Sequence, residues 1–326
     1  MKKEPQKRSL LDRWKNRDKQ NTSVNPIEKA PADIKTPLSH GQQRLWFLQQ
    51  MYPKNAFYNY SETYTFKGNL NEQALAESLK SVYKDHDILR TTYHIENGLV
   101  FQKVNDDFEL HVDMHDLSAL AEADKKTKRK EIIEANAVKY FDLAKSPLLR
   151  ATLIKVNATE HILQITLHHI VNDKWSMRIF TEHLAGHYRS LSLNDNSFSK
   201  KTALQYTDYA YWQSKNEIDK NSLSYWKNKL SGNISELNLP TDHTRPLHPT
   251  FKGALSFTQK YSKTTSNTIL ELAKQLETTP YVILLSVYYV FLYRCSGQTD
   301  ISVGSPVSNR DNKALEDISN TRQTRT

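Results

Sequence analysis

The sequence predicts an α/β sandwich built on a mostly antiparallel or mixed sheet, and three observations carry that prediction. Segments of helical period take turns with segments of two-residue alternation along most of the chain. A hairpin signal, Glu96-Asn97-Gly98, separates two apolar runs. The glycine-rich strand-to-helix turn of a doubly wound series is missing, and eight glycines in all leave little room for one. With 326 residues, 38% hydrophobic and 25% charged, the chain can build two packed lobes.

Residues 1–35 read as a basic leader and linker. Residues 1–30 hold nine Lys/Arg against four acids, so over half of the net charge of +9 lies there. Within it Leu10, Leu11 and Trp14 form a small apolar face amid charge, suited to docking on a partner if the leader is not simply solvated. Pro26, Pro31 and Pro37 break any helix through an Asn/Thr/Ser/Ala-rich stretch, and the folded body begins near Thr36.

A first lobe is expected over residues 36–215. Gly41 to Tyr52 has helical spacing, with Ser39 as its cap and Leu45, Trp46 and Leu48 as its apolar side. Tyr58 to Lys67 alternates as a half-buried strand does, and Asn71 to Asp85 returns to helical period through Leu75, Leu79 and Val82. Thr91–Ile95 and Leu99–Val104 are the arms of the hairpin. Lys125 to Phe141 is a helix, Ala151 to Val156 and Ile162 to Thr166 are strands, and Ser176 to Leu191 is a helix. Residues 216–326 are the second lobe: helix Asn221–Leu230, an irregular proline-bearing stretch Leu237–Pro249, strand Ala254–Lys260, helix Thr265–Leu276, helix Pro280–Tyr293 and short strand Ile301–Val303. Helix Pro280–Tyr293 is hydrophobic on all sides, which predicts burial within its lobe.

Composition excludes several functions. One cysteine, Cys295, builds neither a disulfide framework nor a cysteine zinc site and fits a reducing cytoplasm. No apolar run is long enough to span a bilayer or serve as a signal peptide, so neither membrane nor export is expected. Charge concentrated in the leader, on a mildly basic body, argues against nucleic acid. No nucleotide-binding glycine motif is present.

One constellation carries chemistry. The apolar strand ending at Leu167 gives way to His168-His169-Ile170-Val171-Asn172-Asp173, polar residues placed where a strand becomes a turn. Successive strand side chains face opposite ways, so the two histidines cannot do the same job. A neutral imidazole can take a proton from an amine or hydroxyl nucleophile, as acyl transfer requires, and Asp173 can return toward the ring or hold the backbone. On spacing alone a surface or satisfied core pair is the commoner meaning of two adjacent histidines. A metal site lacks an HExxH pattern or a second clustered pair, and GxSxG is absent, so neither metal nor serine-hydrolase chemistry is expected.

At these residues the chain resembles the condensation domains of nonribosomal peptide synthetases, whose HHxxxDG core, followed by a Trp-Ser pair, stands here as HHIVNDKWS. Four further blocks occur in order: SHGQQRLWFLQQ at 39–50, DHDILRTTY at 85–93, YTDYAYWQ at 206–213 and DISVGSPVSNR at 300–310. The resemblance implies two chloramphenicol-acetyltransferase-like lobes arranged as a V. It implies amide formation between two thioesters carried on the 4'-phosphopantetheine arms of upstream and downstream peptidyl carrier proteins, with an adenylation domain in the same assembly line and no directly bound cofactor. His169 is then the catalytic residue. His168 is structural, and Asp173 holds its loop by pairing with Arg310 or, second, Arg90. Lys174, Trp175 and Ser176 lie by the substrate channel, with Ser176 either capping the helix or touching substrate. Acyl-CoA-dependent transferases and epimerisation domains share part of this core, but the opening and YTDYAYWQ blocks fit condensation better.

Two departures bear on activity. Lys174 replaces the glycine of the core motif, which implies a restricted turn and a long cationic chain where an open backbone is expected. The polar, basic stretch from Asp317 to Thr326 stands where a further apolar strand should begin, so the second lobe is expected to be incomplete. A catalytically silent remnant or docking module is therefore the competing function.

Overall fold

The computed structural model describes residues 26–195, 198, 203–216, 219–232, 234–244, 247, 258–305 and 315. Contacts divide these into a unit of residues 27–216 with Ser305 and Leu315, and a unit of residues 219–304 with Pro26. Ile27, placed in the linker by sequence, is buried in the core of the first unit, and so is Leu315.

In the first unit, α1 (His40–Met51) starts at a full capping box: Ser39 Oγ accepts from Gln42 N, and the Gln42 side chain accepts from Ser39 N. Strand β1 (Thr36–Pro37) precedes it and pairs with β4 (Leu99–Val104), which pairs with β3 (Thr91–Glu96). The β3–β4 hairpin closes through Asn97 and Gly98, both at positive φ, as its Asn-Gly turn demands.

The second sheet has the order β2 (Asn59–Lys67), β7 (Glu160–His168), β6 (Leu149–Asn157), β5 (Val112–Asp116). β5 pairs parallel to β6 and the other pairs are antiparallel. The register sets Tyr60, Tyr64 and Phe66, with Leu163, Ile165, Leu167, Leu149, Ala151 and Leu153, on one face. These join the main core with α2 (Glu72–Asp85) and α4 (Lys174–Ser192). The opposite face carries Ile154, Val156 and Ile162, packed against Ile132 and Ile133 of α3 (Glu122–Val138). Each fully buried Leu or Ile contributes about 1.5–3 kcal/mol, so this double-sided burial fixes the register of β6 and β7.

Helix α3 starts and stops three residues before the span expected for it. The Arg150 guanidinium donates to the carbonyls of Asn136, Lys139 and Tyr140, closing the helix there. Phe141 and Leu143 are thereby freed to enter the core.

The YTDYAYWQ block forms α5 (Tyr206–Lys215). The other unit holds α6 (Lys220–Lys229), α7 (Lys263–Gln275) and α8 (Pro280–Ser296). Three expectations change here. Residues 301–305 form no strand, since a strand requires a ladder partner. Of the strand placed at 254–260, residues 254–257 lie outside the described residues and 258–260 are irregular. Helix α8 is largely exposed: Val287 at 61% and Phe291 at 57% face solvent, while Ile283 and Leu292 are buried. Apolar composition drives burial only where a partner surface exists, and the described part of this unit contains helices and irregular segments but no strand.

Candidate functional site

The end of β7 delivers the two histidines into unlike surroundings. His168, the last strand residue, is 1% exposed, with Tyr58 and Phe141 as ring neighbours at 6.3 Å each. Its Nδ1 accepts from Ile170 N at 3.0 Å, so the proton of the neutral ring sits on Nε2. Burial, then the proximity of His169 and Arg150, holds its pKa down at about 3. His168 is a neutral, buried ring.

His169 is exposed and lies just past the strand. Its backbone N donates to Tyr58 O at 2.6 Å, and its ring Nδ1 lies 2.6 Å from Asn172 O. A carbonyl oxygen only accepts, so Nδ1 carries a proton, and in the neutral ring the lone pair is on Nε2. The ring of Tyr60 stands 6.5 Å away. In that tautomer the ring offers Nε2 at an exposed position.

The loop between is anchored from below. Ile170 and Val171 are fully buried, Val171 N donates to His168 O, and Tyr93 Oη donates to Ile170 O at 3.4 Å. Asp173 then caps α4: its Oδ1 accepts from Ser176 N at 2.7 Å and from Ser176 Oγ at 2.6 Å. A buried Ser176 thus joins the helix cap. Lys174 takes the ordinary backbone of a first helical residue, and positive φ in non-glycine residues occurs elsewhere. The restricted turn expected from its replacing glycine is therefore not imposed, and only its exposed cationic chain distinguishes it. Trp175 is 37% exposed with the Arg178 guanidinium 4.5 Å over its ring.

Of the two arginines, Arg310 lies outside the described residues. Arg90 is committed elsewhere, with hydrogen bonds to Asp87 and Asp106 and to Lys84 O. It closes the end of the β3–β4 region instead of reaching Asp173, because the 3₁₀ turn Asp87–Arg90 brings a carboxylate three residues away. Sequence reasoning missed Arg150 and Phe141. The guanidinium lies 3.6 Å over the Phe141 ring, whose edge meets His168. Burial lowers the Arg150 pKa to about 10, which leaves it charged at neutral pH. The available signal was a pair of cations, Arg150 and Lys155, in the otherwise largely apolar strand LRATLIKV.

A family model described as Condensation domain matches residues 33–321. The chain belongs to the condensation-domain family. A linear gramicidin synthase polypeptide of Brevibacillus parabrevis is 36% identical over 300 residues, covering 91% of this chain and 4% of that protein. Tyrocidine synthase 3 of the same organism is 32% identical over 297 residues, covering 90% of this chain and 4% of that protein. The chain therefore spans a small fraction of the length of these curated relatives.

Among solved structures, the first condensation domain of the CDA synthetase matches with a TM-score of 0.71 at 16% identity, over 90% of this chain and 69% of that one. The X-domain from teicoplanin biosynthesis matches with a TM-score of 0.79 at 23% identity, over 92% of this chain and 67% of that one. At such identities the likeness establishes the fold, and it bears out the α/β, chloramphenicol-acetyltransferase-like class expected for this condensation domain. No single helix among the described residues is long and apolar enough to cross a membrane.

Proposed function

We propose that this condensation domain forms an amide bond between two thioesters held on carrier proteins, with His169 handling the proton. The observation that carries the reading is the His169 ring: Nδ1 is tied to Asn172 O, and the lone pair on Nε2 is offered at an exposed position at the strand end. The acceptor's amine nitrogen attacks the donor's thioester carbonyl, forming the C–N bond. His169 Nε2 takes or orients the amine proton, the C–S bond breaks, and the donor's carrier thiol leaves with a proton.

The substrates arrive on 4'-phosphopantetheine arms of an upstream and a downstream peptidyl carrier protein, with no cofactor resident in the domain and an adenylation domain in the same assembly line. A four-domain nonribosomal peptide synthetase bound to AMP and glycine contains a region of this fold, matching with a TM-score of 0.74 at 23% identity over 93% of this chain and 22% of that one, which supports placing the domain within a larger synthetase. A cytoplasmic location accords with this chemistry. Asp173 holds the loop, and its pairing with Arg310 is part of the proposal. Lys174, with Trp175 beside it, flanks the channel.

The ordinary helical backbone at Lys174 removes one reason to read the loop as disabled, which favours the enzyme over a silent remnant. Loaded carrier proteins offered to the wild type and to His169→Ala test the proposal. Amide product from the wild type that falls at least a hundredfold in the variant is expected. Undiminished product from His169→Ala would refute the role given to this ring.

A further inference from the structure

Strand β2 carries a carboxylate that the proposed reaction does not use. Tyr60, Glu62, Tyr64 and Phe66 share one face of the strand, and their β7 partners across the register are Leu167, Ile165, Leu163 and His161. Glu62 is half-buried among these aromatic and apolar residues. No cation among the described residues pairs with it: His161 is engaged by Glu72, and Lys67 stands on the other face of β2 by alternation. Taking a carboxylate part-way out of water with no counter-charge is unfavourable.

The hydrogen bonds of Glu62 are one-sided. Tyr60 Oη donates to Oε2 at 3.1 Å and Tyr64 Oη donates to the same oxygen at 2.8 Å. Burial, then the bond to Glu62, raises the Tyr60 pKa to about 12 and raises that of Tyr64 too, so both phenols stay protonated donors. Oε1 accepts from none of the described residues and keeps accessible surface. What the fold leaves open is one negative oxygen beside two electron-rich rings.

We infer that Glu62, framed by Tyr60 and Tyr64, binds a primary ammonium group, with Oε1 accepting its N–H. The rings beside the carboxylate favour the same charge. A guanidinium fork engages both carboxylate oxygens, and Oε2 already holds two phenols, so a single ammonium is the better match. A metal ion needs several ligands, and no group of acids or histidines among the described residues could hold one.

The ring of Tyr60 lies 6.5 Å from that of His169. A cation on Glu62 is thus one tyrosine ring and one hydrogen bond away from the histidine, within reach of a long aminoalkyl chain. For the amide-forming function proposed above, on which this step rests, the site selects a substrate residue whose side chain ends in a primary amine. The ammonium site itself does not depend on that function.

The full chain is titrated with n-butylammonium chloride and, separately, with uncharged n-pentanol, while tyrosine ring resonances are followed by NMR and those of Tyr60 are assigned from Tyr60→Phe. Saturable shifts of the Tyr60 ring with butylammonium, and none with pentanol, are expected. Glu62→Gln keeps an acceptor for the phenols and removes the charge, and it should weaken butylammonium binding by about tenfold or more. No shift in the wild type, equal shifts with pentanol, or equal binding by Glu62→Gln overturns the site. The pentanol comparison needs no variant, so it decides even where Glu62→Gln does not fold.

Carriers loaded with lysyl or norleucyl groups, which differ only by the terminal amine, test the selection. The lysyl-to-norleucyl ratio of kcat/KM, with the pair offered as donor or as acceptor, should be about tenfold or more in the wild type and near one in Glu62→Gln. A ratio near one in the wild type at both positions overturns the selection and keeps the ammonium site. Butylammonium binding by a protein that condenses no loaded carriers keeps the site and overturns the function.

Discussion

Acid should unfold this domain well before its carboxylates titrate, because two buried histidines are kept neutral by the fold. His86, next to the end of α2, is 2% exposed. Its ring stacks on His183 of α4 with centroids 4.9 Å apart and Nε2 3.0 Å from His183 Nδ1. Burial, followed by the neighbouring His183 and His187, lowers the His86 pKa from 6.5 to about 3. Asp85 does not offset this, because its carboxylate is hydrogen-bonded to His187 Nε2 at 2.7 Å. His168, also lowered to about 3, is the second such group.

The sign follows from linkage. A folded pKa below the unfolded value means that the unfolded chain binds the proton first, so the stabilisation is complete above pH 6.5 and is lost as pH falls from there toward about 3. Between pH 7 and pH 5 each ring removes about 2 kcal/mol, roughly 4 kcal/mol together, a large part of a typical domain's stability. Urea unfolding at pH 7, 6 and 5 measures this. At an m-value of about 2.5 kcal/mol/M the midpoint should fall by roughly 1.5 M across that range. His86→Gln and His168→Gln should each remove about half of the pH slope, whatever they do to stability at pH 7. A midpoint flat between pH 7 and pH 5, or a slope untouched in both variants, would refute the reasoning.

Three other outcomes are expected. Asp173→Ala removes two charge-assisted bonds at the cap of α4 and should cost about 2 kcal/mol, several degrees in thermal midpoint, whereas Asp173→Asn, which keeps an acceptor, should cost less than half of that. Lys174→Gly should lower the midpoint slightly, by the equivalent of about 0.5 kcal/mol, and should not raise condensation rates, since residue 174 already has helical backbone. A clear gain in rate would show that the lysine side chain itself obstructs. Leu163→Ala, at a fully buried position of β7 in the main core, should cost about 2–5 kcal/mol in urea unfolding, and a loss under 1 kcal/mol would contradict the packing described.

Elements whose determinants are local were legible in the sequence. Ser39 announces α1 and Asn97-Gly98 announces the hairpin, whereas α4 begins two residues before the expected Ser176 because Asp173 is its cap and Ser176 donates to it. What could not be read depends on partners distant in sequence. Strand β5 buries Val112 and exposes the next four residues, so it shows no alternation, and it exists because it pairs in parallel with β6. The end of α3 is set by Arg150, fourteen residues beyond Asn136, the first of its carbonyl partners. Helix α8 has the composition of a core element, yet its exposure follows from what surrounds it. Strand alternation correctly separated His168 from His169 but could not name their neighbours. Phe141 and Arg150 reach His168 only because the β6–β7 register sets Arg150 against Thr166, two residues before His168 on the same face.

The spacing of the motif acquires a physical meaning from the loop's hydrogen bonds. Both histidines have their tautomers set by backbone groups: Ile170 N donates to His168 Nδ1, and Asn172 O accepts from His169 Nδ1. Those two backbone groups are two and three residues beyond the rings they fix, and the aspartate that ends the loop caps the helix that follows. Inserting or deleting one residue between His169 and Asp173 would therefore disturb the His169 tautomer and the cap at once. Side chains at 170 and 171 contribute apolar bulk, being fully buried, and supply no functional group. Exchanging Ile170 for valine or leucine should thus leave the His169 Nδ1 proton in place, visible as an unchanged, slowly exchanging ring N–H resonance. A one-residue insertion after Val171 should abolish that resonance, and its survival would mean that something other than the Asn172 carbonyl holds the ring.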